Sequence, residues 1–96
     1  MMIDLRKCKE GDTLITSQGS ILEYVSTTPW KYFTYADHVV RYVKDKNGKK
    51  FSANKYLQMY GTRTNDGYVF IKNRIAETDH DVIKVIRDGK ILQQRD

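Results

Sequence analysis

The chain predicts a mostly β protein, a small antiparallel barrel with at most one short helix. Three observations carry this. Tight-turn dipeptides recur along the chain, at Gly11-Asp12, Gln18-Gly19, Asn47-Gly48, Asp66-Gly67 and Asp88-Gly89. The runs between them are short and rich in β-branched and aromatic residues, which suit a pleated, half-buried surface. Helical spacing shows in one stretch, residues 52–61. Closing such strands into a barrel also removes exposed sheet edges. The 96 residues make one domain, residues 1–96, with the polar tail 93–96 expected to fray.

The elements follow in order. TLITS, residues 13–17, and SILEYVS, residues 20–26, flank a glycine turn and read as a hairpin. TTPWKYFTYAD, residues 27–37, has no clean periodicity. Its Pro29 cannot donate to a strand ladder, so the stretch reads as a loop. HVVRYV, residues 38–43, reads as a strand with Val40 and Tyr42 on one face. Asn47-Gly48 predicts a two-residue turn, placing Lys46 opposite Lys49 and Lys44 opposite Phe51.

SANKYLQMYG, residues 52–61, offers Ser52 as an N-cap, Gly61 as a C′ residue, and Tyr56, Leu57 and Tyr60 on one helical face. A short helix is the reading, with an irregular strand as its competitor. Asp66-Gly67 predicts a second hairpin in which Thr64 opposes Val69 and Arg63 opposes Phe70. Asp88-Gly89 predicts a third, with Ile86 opposite Ile91 and Val85 opposite Leu92.

Composition narrows the function classes. The lone cysteine, Cys8, cannot form an internal disulfide, and MMIDLRKCKEGD holds no apolar run long enough for a signal peptide. An intracellular, cytoplasmic soluble protein is the expectation. The net charge of +5 is uneven: residues 31–63 hold eight basic and two acidic side chains, and the flanking thirds sum to −1 and zero. A clustered positive field attracts phosphate or an acidic partner. It also serves simply as a solvated surface.

Four rings, Trp30, Tyr32, Phe33 and Tyr35, crowd into six residues around Lys31. Aromatic faces stack on unpaired bases while cations track phosphates. Such rings equally well pack a core. The candidate nucleic-acid-binding residues are therefore Trp30, Lys31, Tyr32 and Tyr35 for stacking and its flank, with Lys44, Lys46, Lys49, Lys50 and Arg63 for phosphate. The alternative is a protein–protein interaction module, with the rings forming a peptide groove and the lysines selecting an acidic partner. Arg63 has the least obvious structural duty; a cation–π contact with Phe70 is the structural option.

Catalytic and metal signals are weak. No P-loop, GxGxxG, HExxH, nucleophile elbow or paired CxxC occurs in the sequence. Asp79-His80-Asp81 and Asp37-His38 supply ligand types, but in a strand the two aspartates of the first point away from its histidine. Cys8 lies among Arg6, Lys7 and Lys9, cations that lower a thiol pKa, yet no base is assigned to it. The expectation is a non-catalytic module with no cofactor and no metal.

Two resemblances bear on this. Lys9-Glu10-Gly11-Asp12-Thr13-Leu14 followed by Gly19-Ser20-Ile21-Leu22-Glu23-Tyr24-Val25 resembles the first hairpin of SH3-like barrels of the KOW type. It implies an SH3-like antiparallel barrel. DHVVRYV (37–43), GTRTNDGYVF (61–70) and DHDVIKVI (79–86) resemble a family of small bacterial and phage proteins. That likeness implies an intracellular bacterial or mobile-element protein, in which the alternative partner would belong to a bacterial or phage assembly. It supplies no catalytic residues.

Overall fold

The computed structural model describes residues 3–27, 38–50, 60–68, 70–71, 74–75 and 80–95. Among the described residues a 3-10 turn at Leu5–Lys7 precedes eight strands: β1 (Thr13–Thr16), β2 (Ile21–Thr27), β3 (His38–Lys44), β4 (Tyr60–Arg63), β5 (Phe70–Ile71), β6 (Arg74–Ile75), β7 (Val82–Arg87) and β8 (Lys90–Gln94). Six form one antiparallel sheet in the order β4-β3-β2-β1-β7-β8, and β5 pairs with β6. The mostly β reading is correct. Among the described residues no helix is long and apolar enough to cross a membrane.

Period-two alternation builds the inner face. Leu14 and Thr16 of β1, Leu22 and Tyr24 of β2, and His38 and Val40 of β3 are buried, and their neighbours are partly exposed. On β7 the buried residues, Val82 and Val85, are three apart. A bulge explains this: Ile15 faces Lys84 but Thr16 faces Val82, so Ile83 is the extra residue. Ile3 and Leu5 complete the core, with Cys8 and Tyr42 packed against it. Burying each aliphatic side chain stabilises by roughly 1.5–3 kcal/mol relative to exposure.

The sheet curls on itself. In a flat sheet β4 and β7 would lie four strand spacings apart, about 19 Å. Yet Val82 N donates to Gly67 O in the turn after β4 (2.9 Å), and Arg63 Nε donates to His80 O (3.1 Å). Ser17 N, in the turn after β1, donates to Asp81 O (2.9 Å). Two turns and one arginine thus grip residues 80–82 and give the sheet its barrel-like closure. The N-terminal segment seals one end. Leu5 N donates to Asn65 O (2.7 Å), while Asp4 exchanges two hydrogen bonds with the Gln93 side chain. Gln93, expected to fray, is 8% exposed and belongs to β8.

Three turns share one construction, where a two-residue turn was expected at Asn47-Gly48 and Asp66-Gly67. They are Thr16–Ser20, Asp45–Lys49 and Thr64–Tyr68. In each, the first N–H donates to the fifth carbonyl, the glycine N–H donates back to the first carbonyl, and the first side-chain oxygen accepts the fifth N–H. Gly19, Gly48 and Gly67 take positive φ of 98°, 80° and 84°; Asn47 and Asp66 do not. The loop is a residue longer than expected, so Thr64 faces Tyr68, Asp45 faces Lys49, and Lys44 faces Lys50 rather than Phe51.

Asp88-Gly89 is a true two-residue turn, with both φ positive and Ile86 opposite Ile91. A bulge then pairs Val85 with Gln93, which displaces the expected Val85–Leu92 pair. Gly61 is not a helix C′ residue. It lies in β4 opposite Val40, and a Cβ there would stand 2.7 Å from the Tyr42 hydroxyl. The remainder of the helix reading, residues 52–59, lies outside the described residues.

One ion pair ties the start of β1 to the end of β7. Arg87 grips the Asp12 carboxylate through Nε (2.8 Å) and a terminal nitrogen (2.7 Å), and Lys9 N donates to the same carboxylate. Hydrogen bonding from Arg87 holds the Asp12 carboxyl below the usual carboxylate range. Its folded-state pKa is lower than its unfolded one, so its contribution is complete above the unfolded value of roughly 4. The contribution declines as pH falls below that value and is gone once the folded-state pKa is passed. Thermal melts between pH 6 and pH 2 should therefore show a loss of Tm on acidification that is smaller in Asp12→Asn. An equal loss in both proteins would assign the acid sensitivity elsewhere.

Candidate nucleic-acid interface

The hairpin leaving β3 gathers the charge. Residues 44–50 read KDKNGKK, four lysines and one aspartate. Lys44 and Lys50 are direct cross-strand partners, and Lys46 and Lys49 flank the turn between them. Lys46, Lys49 and Lys50 are exposed and Lys44 is half-exposed. Among the described residues none of the four makes an ion pair. The Asp45 carboxylate is turned into its own loop, where Oδ1 accepts from Asn47 N (2.8 Å) and Lys49 N (3.0 Å). With the two backbone bonds of the turn, four hydrogen bonds brace the tip.

Directly opposed like charges destabilise a strand pair. Lys44 against Lys50 is therefore an arrangement that folding alone does not favour. Lys50→Glu should raise stability by about 0.2–1 kcal/mol, seen as a higher midpoint in thermal melts. No gain would mean that the two ammonium groups are already fully separated by solvent.

Arg63 leaves the candidate set. It is 2% exposed, opposes His38 rather than Phe70, and lies on the inner face. Its guanidinium donates to His80 O, to Thr62 O (2.7 Å) and to the Tyr42 hydroxyl (3.2 Å), and stacks over the Tyr42 ring at 5.7 Å. A side chain so enclosed does not reach a phosphate. The cation–π contact exists, with Tyr42 in place of Phe70. Trp30, Lys31, Tyr32 and Tyr35 lie outside the described residues.

The register across the sheet adds a residue that the sequence reading missed. A bulge at Val43 places Tyr42 opposite Leu22 on the inner face and Lys44 opposite Ile21 on the outer face. Ile21 faces Ile15, and Ile15 faces Lys84. Cross-strand partners share a face. Lys50, Lys44, Ile21, Ile15 and Lys84 therefore form one row over the outer surface. Lys84 belongs to the electrically neutral final third of the chain, and its neighbours gave no signal. Only the strand order β3-β2-β1-β7 brings it here.

The groups weighed for other chemistry are otherwise engaged. His38 is 1% exposed, with Nε2 2.7 Å from Asn65 Oδ1 and Nδ1 2.8 Å from the Tyr24 hydroxyl. Because the amide oxygen only accepts, Nε2 carries a proton, and in the neutral ring Nδ1 then accepts from Tyr24. Burial, with the Asp12 carboxylate second, pushes the Cys8 thiol up to about 12. That opposes the lowering expected from its cationic neighbours and leaves it unreactive as a thiolate. Among the described residues no three His, Cys, Asp or Glu side chains gather to hold a metal ion. A cleft of about 320 Å³ lies over the Asp12–Arg87 pair, with Lys9, Glu10 and Asp88 on its rim. Its mixed charge favours no ligand class.

Comparison with protein-family models, with curated proteins and with solved structures returns no match for this chain.

Proposed function

We propose that this chain is a non-catalytic binding module that holds the phosphate backbone of nucleic acid on the lysine tip of the β3 hairpin. The observation that carries the reading is the directly opposed pair Lys44–Lys50, with Lys46 and Lys49 beside it on a loop held rigid by Asp45. A fixed cluster of ammonium groups meets a polyanion with little ordering cost. An anion placed between Lys44 and Lys50 also relieves their repulsion. Trp30, Tyr32 and Tyr35 are the candidates for stacking on bases.

Titration with oligonucleotides over a salt series tests this. The wild-type protein should bind at low salt, and log K should fall with log salt by roughly 0.7–0.9 per phosphate contacted. Replacing Lys44, Lys46, Lys49 and Lys50 with alanine should abolish most of that slope and leave the fold intact by circular dichroism. Absence of binding by the wild-type protein overturns the proposal. Capture of an acidic protein with no oligonucleotide affinity does so in favour of the protein-interaction reading.

A further inference from the structure

The geometry points to single-stranded nucleic acid lying across the strands, from the lysine tip over the Ile21–Ile15 pair to Lys84. This rests on the reading of the tip as a phosphate-binding site and extends it to a partner class and a further contact residue. Lys44 and Lys84 are separated by three strand spacings, about 14 Å. Between them Ile21 and Ile15 face each other, partly exposed, on the same surface. The row is therefore cationic at both ends and apolar in the middle.

That alternation discriminates between forms of nucleic acid. A duplex presents phosphates and sugars outward with its bases paired inside. Isoleucines set between two cations would meet little there. A single strand exposes base faces that rest on an apolar floor while the phosphates reach the flanking ammonium groups. The adjacent row does not oppose this, because its Glu23 carboxylate is paired with Arg41 at 3.0 Å. With its lysines on phosphates and its isoleucines offering no hydrogen bond to a base edge, the row binds without sequence preference.

Fluorescence anisotropy with labelled oligothymidylate and with a duplex of equal length tests the inference. Wild type should bind the single strand more tightly. Lys84→Ala should weaken that binding and lower the salt slope by roughly 0.7, while Lys84→Arg keeps the slope. Ile21→Thr retains a β-branched strand residue and should weaken binding with the slope unchanged. Lys90→Ala, off the row at the β7–β8 turn, should change nothing. If Lys84→Ala binds as wild type does while the tip variants fail, the row is wrong and the tip reading stands. If duplex binds as tightly as single strand, the partner class is wrong. Failure of wild type to bind either form removes the underlying reading itself.

Discussion

Arg63→Ala is expected to destabilise the protein by about 3–5 kcal/mol, at the upper end of what one substitution costs. The guanidinium holds two backbone carbonyls and a phenol, and one of those carbonyls belongs to His80 at the barrel seam. Removing it takes a donor from each of these part-buried acceptors and opens a space under Tyr42. Each unmet acceptor costs about 1–3 kcal/mol. A domain of this size has a total stability of about 5–15 kcal/mol, so a large share would be lost. Arg63→Lys should rescue little, because a single ammonium does not span acceptors arranged around a planar fork. Urea denaturation checks both variants. Oligonucleotide affinity, corrected for the folded fraction, should be unchanged. A stable Arg63→Ala with impaired binding would return the residue to the interface.

Arg63 also shows why the sequence misleads at this point. Arginine is rarely fully buried, and in GTRTNDGYVF it stands among exposed-looking polar residues. Its burial follows from pairing β4 with β3 and from closing the sheet onto residues 80–82. Both are long-range facts. Most strands were legible because alternation and turn residues are local, although Tyr60 and Gly61 of β4 read as the end of a helix and β6 does not read as a strand. The registers were less so. Bulges at Ile83 and Val43 and beside Leu92 shift pairings by one residue, and each depends on what the neighbouring strand buries.

The turn error had a local remedy. Thr16, Asp45 and Thr64 each stand three residues before a glycine and four before the residue whose N–H they accept. A side-chain acceptor at that position favours the longer loop over the two-residue turn. At Asp88-Gly89 the residue three before the glycine is Ile86, which offers no oxygen, and there the two-residue turn forms. The lysine tip was legible as a cluster, because four lysines within seven residues fall together under either turn type. Lys84 was not, since it reaches the site only through the order of four strands. The N-terminal plug was hidden for the same reason. Ile3 and Leu5 show no strand or helix period, yet both are buried, and the segment is tied down by bonds from Leu5 and Asp4 to residues sixty and eighty-nine positions away.

The repeated turn provides its own control for the barrel seam. Gly19 and Gly67 occupy equivalent positions with φ of 98° and 84°, so alanine at either should cost about 1–2 kcal/mol from the left-handed backbone alone. Their surroundings differ. A Cβ at Gly19 meets nothing within 4 Å, whereas one at Gly67 lies 3.1 Å from both Val82 Cβ and Val82 O and 3.3 Å from Ile3 Cγ2. The crowded atoms include backbone, and Gly67 O is itself the acceptor for Val82 N. Relief by movement would therefore lengthen one of the bonds that close the sheet. Overpacking of this kind adds about 1–3 kcal/mol. Gly67→Ala should thus cost about 2–5 kcal/mol in urea denaturation against about 1–2 for Gly19→Ala. Amide exchange at Val82 should accelerate in Gly67→Ala well beyond its change in Gly19→Ala. Equal costs at the two positions would mean that the seam yields easily, and that the curl of the sheet is held by the N-terminal plug, through Leu5–Asn65 and Asp4–Gln93, instead.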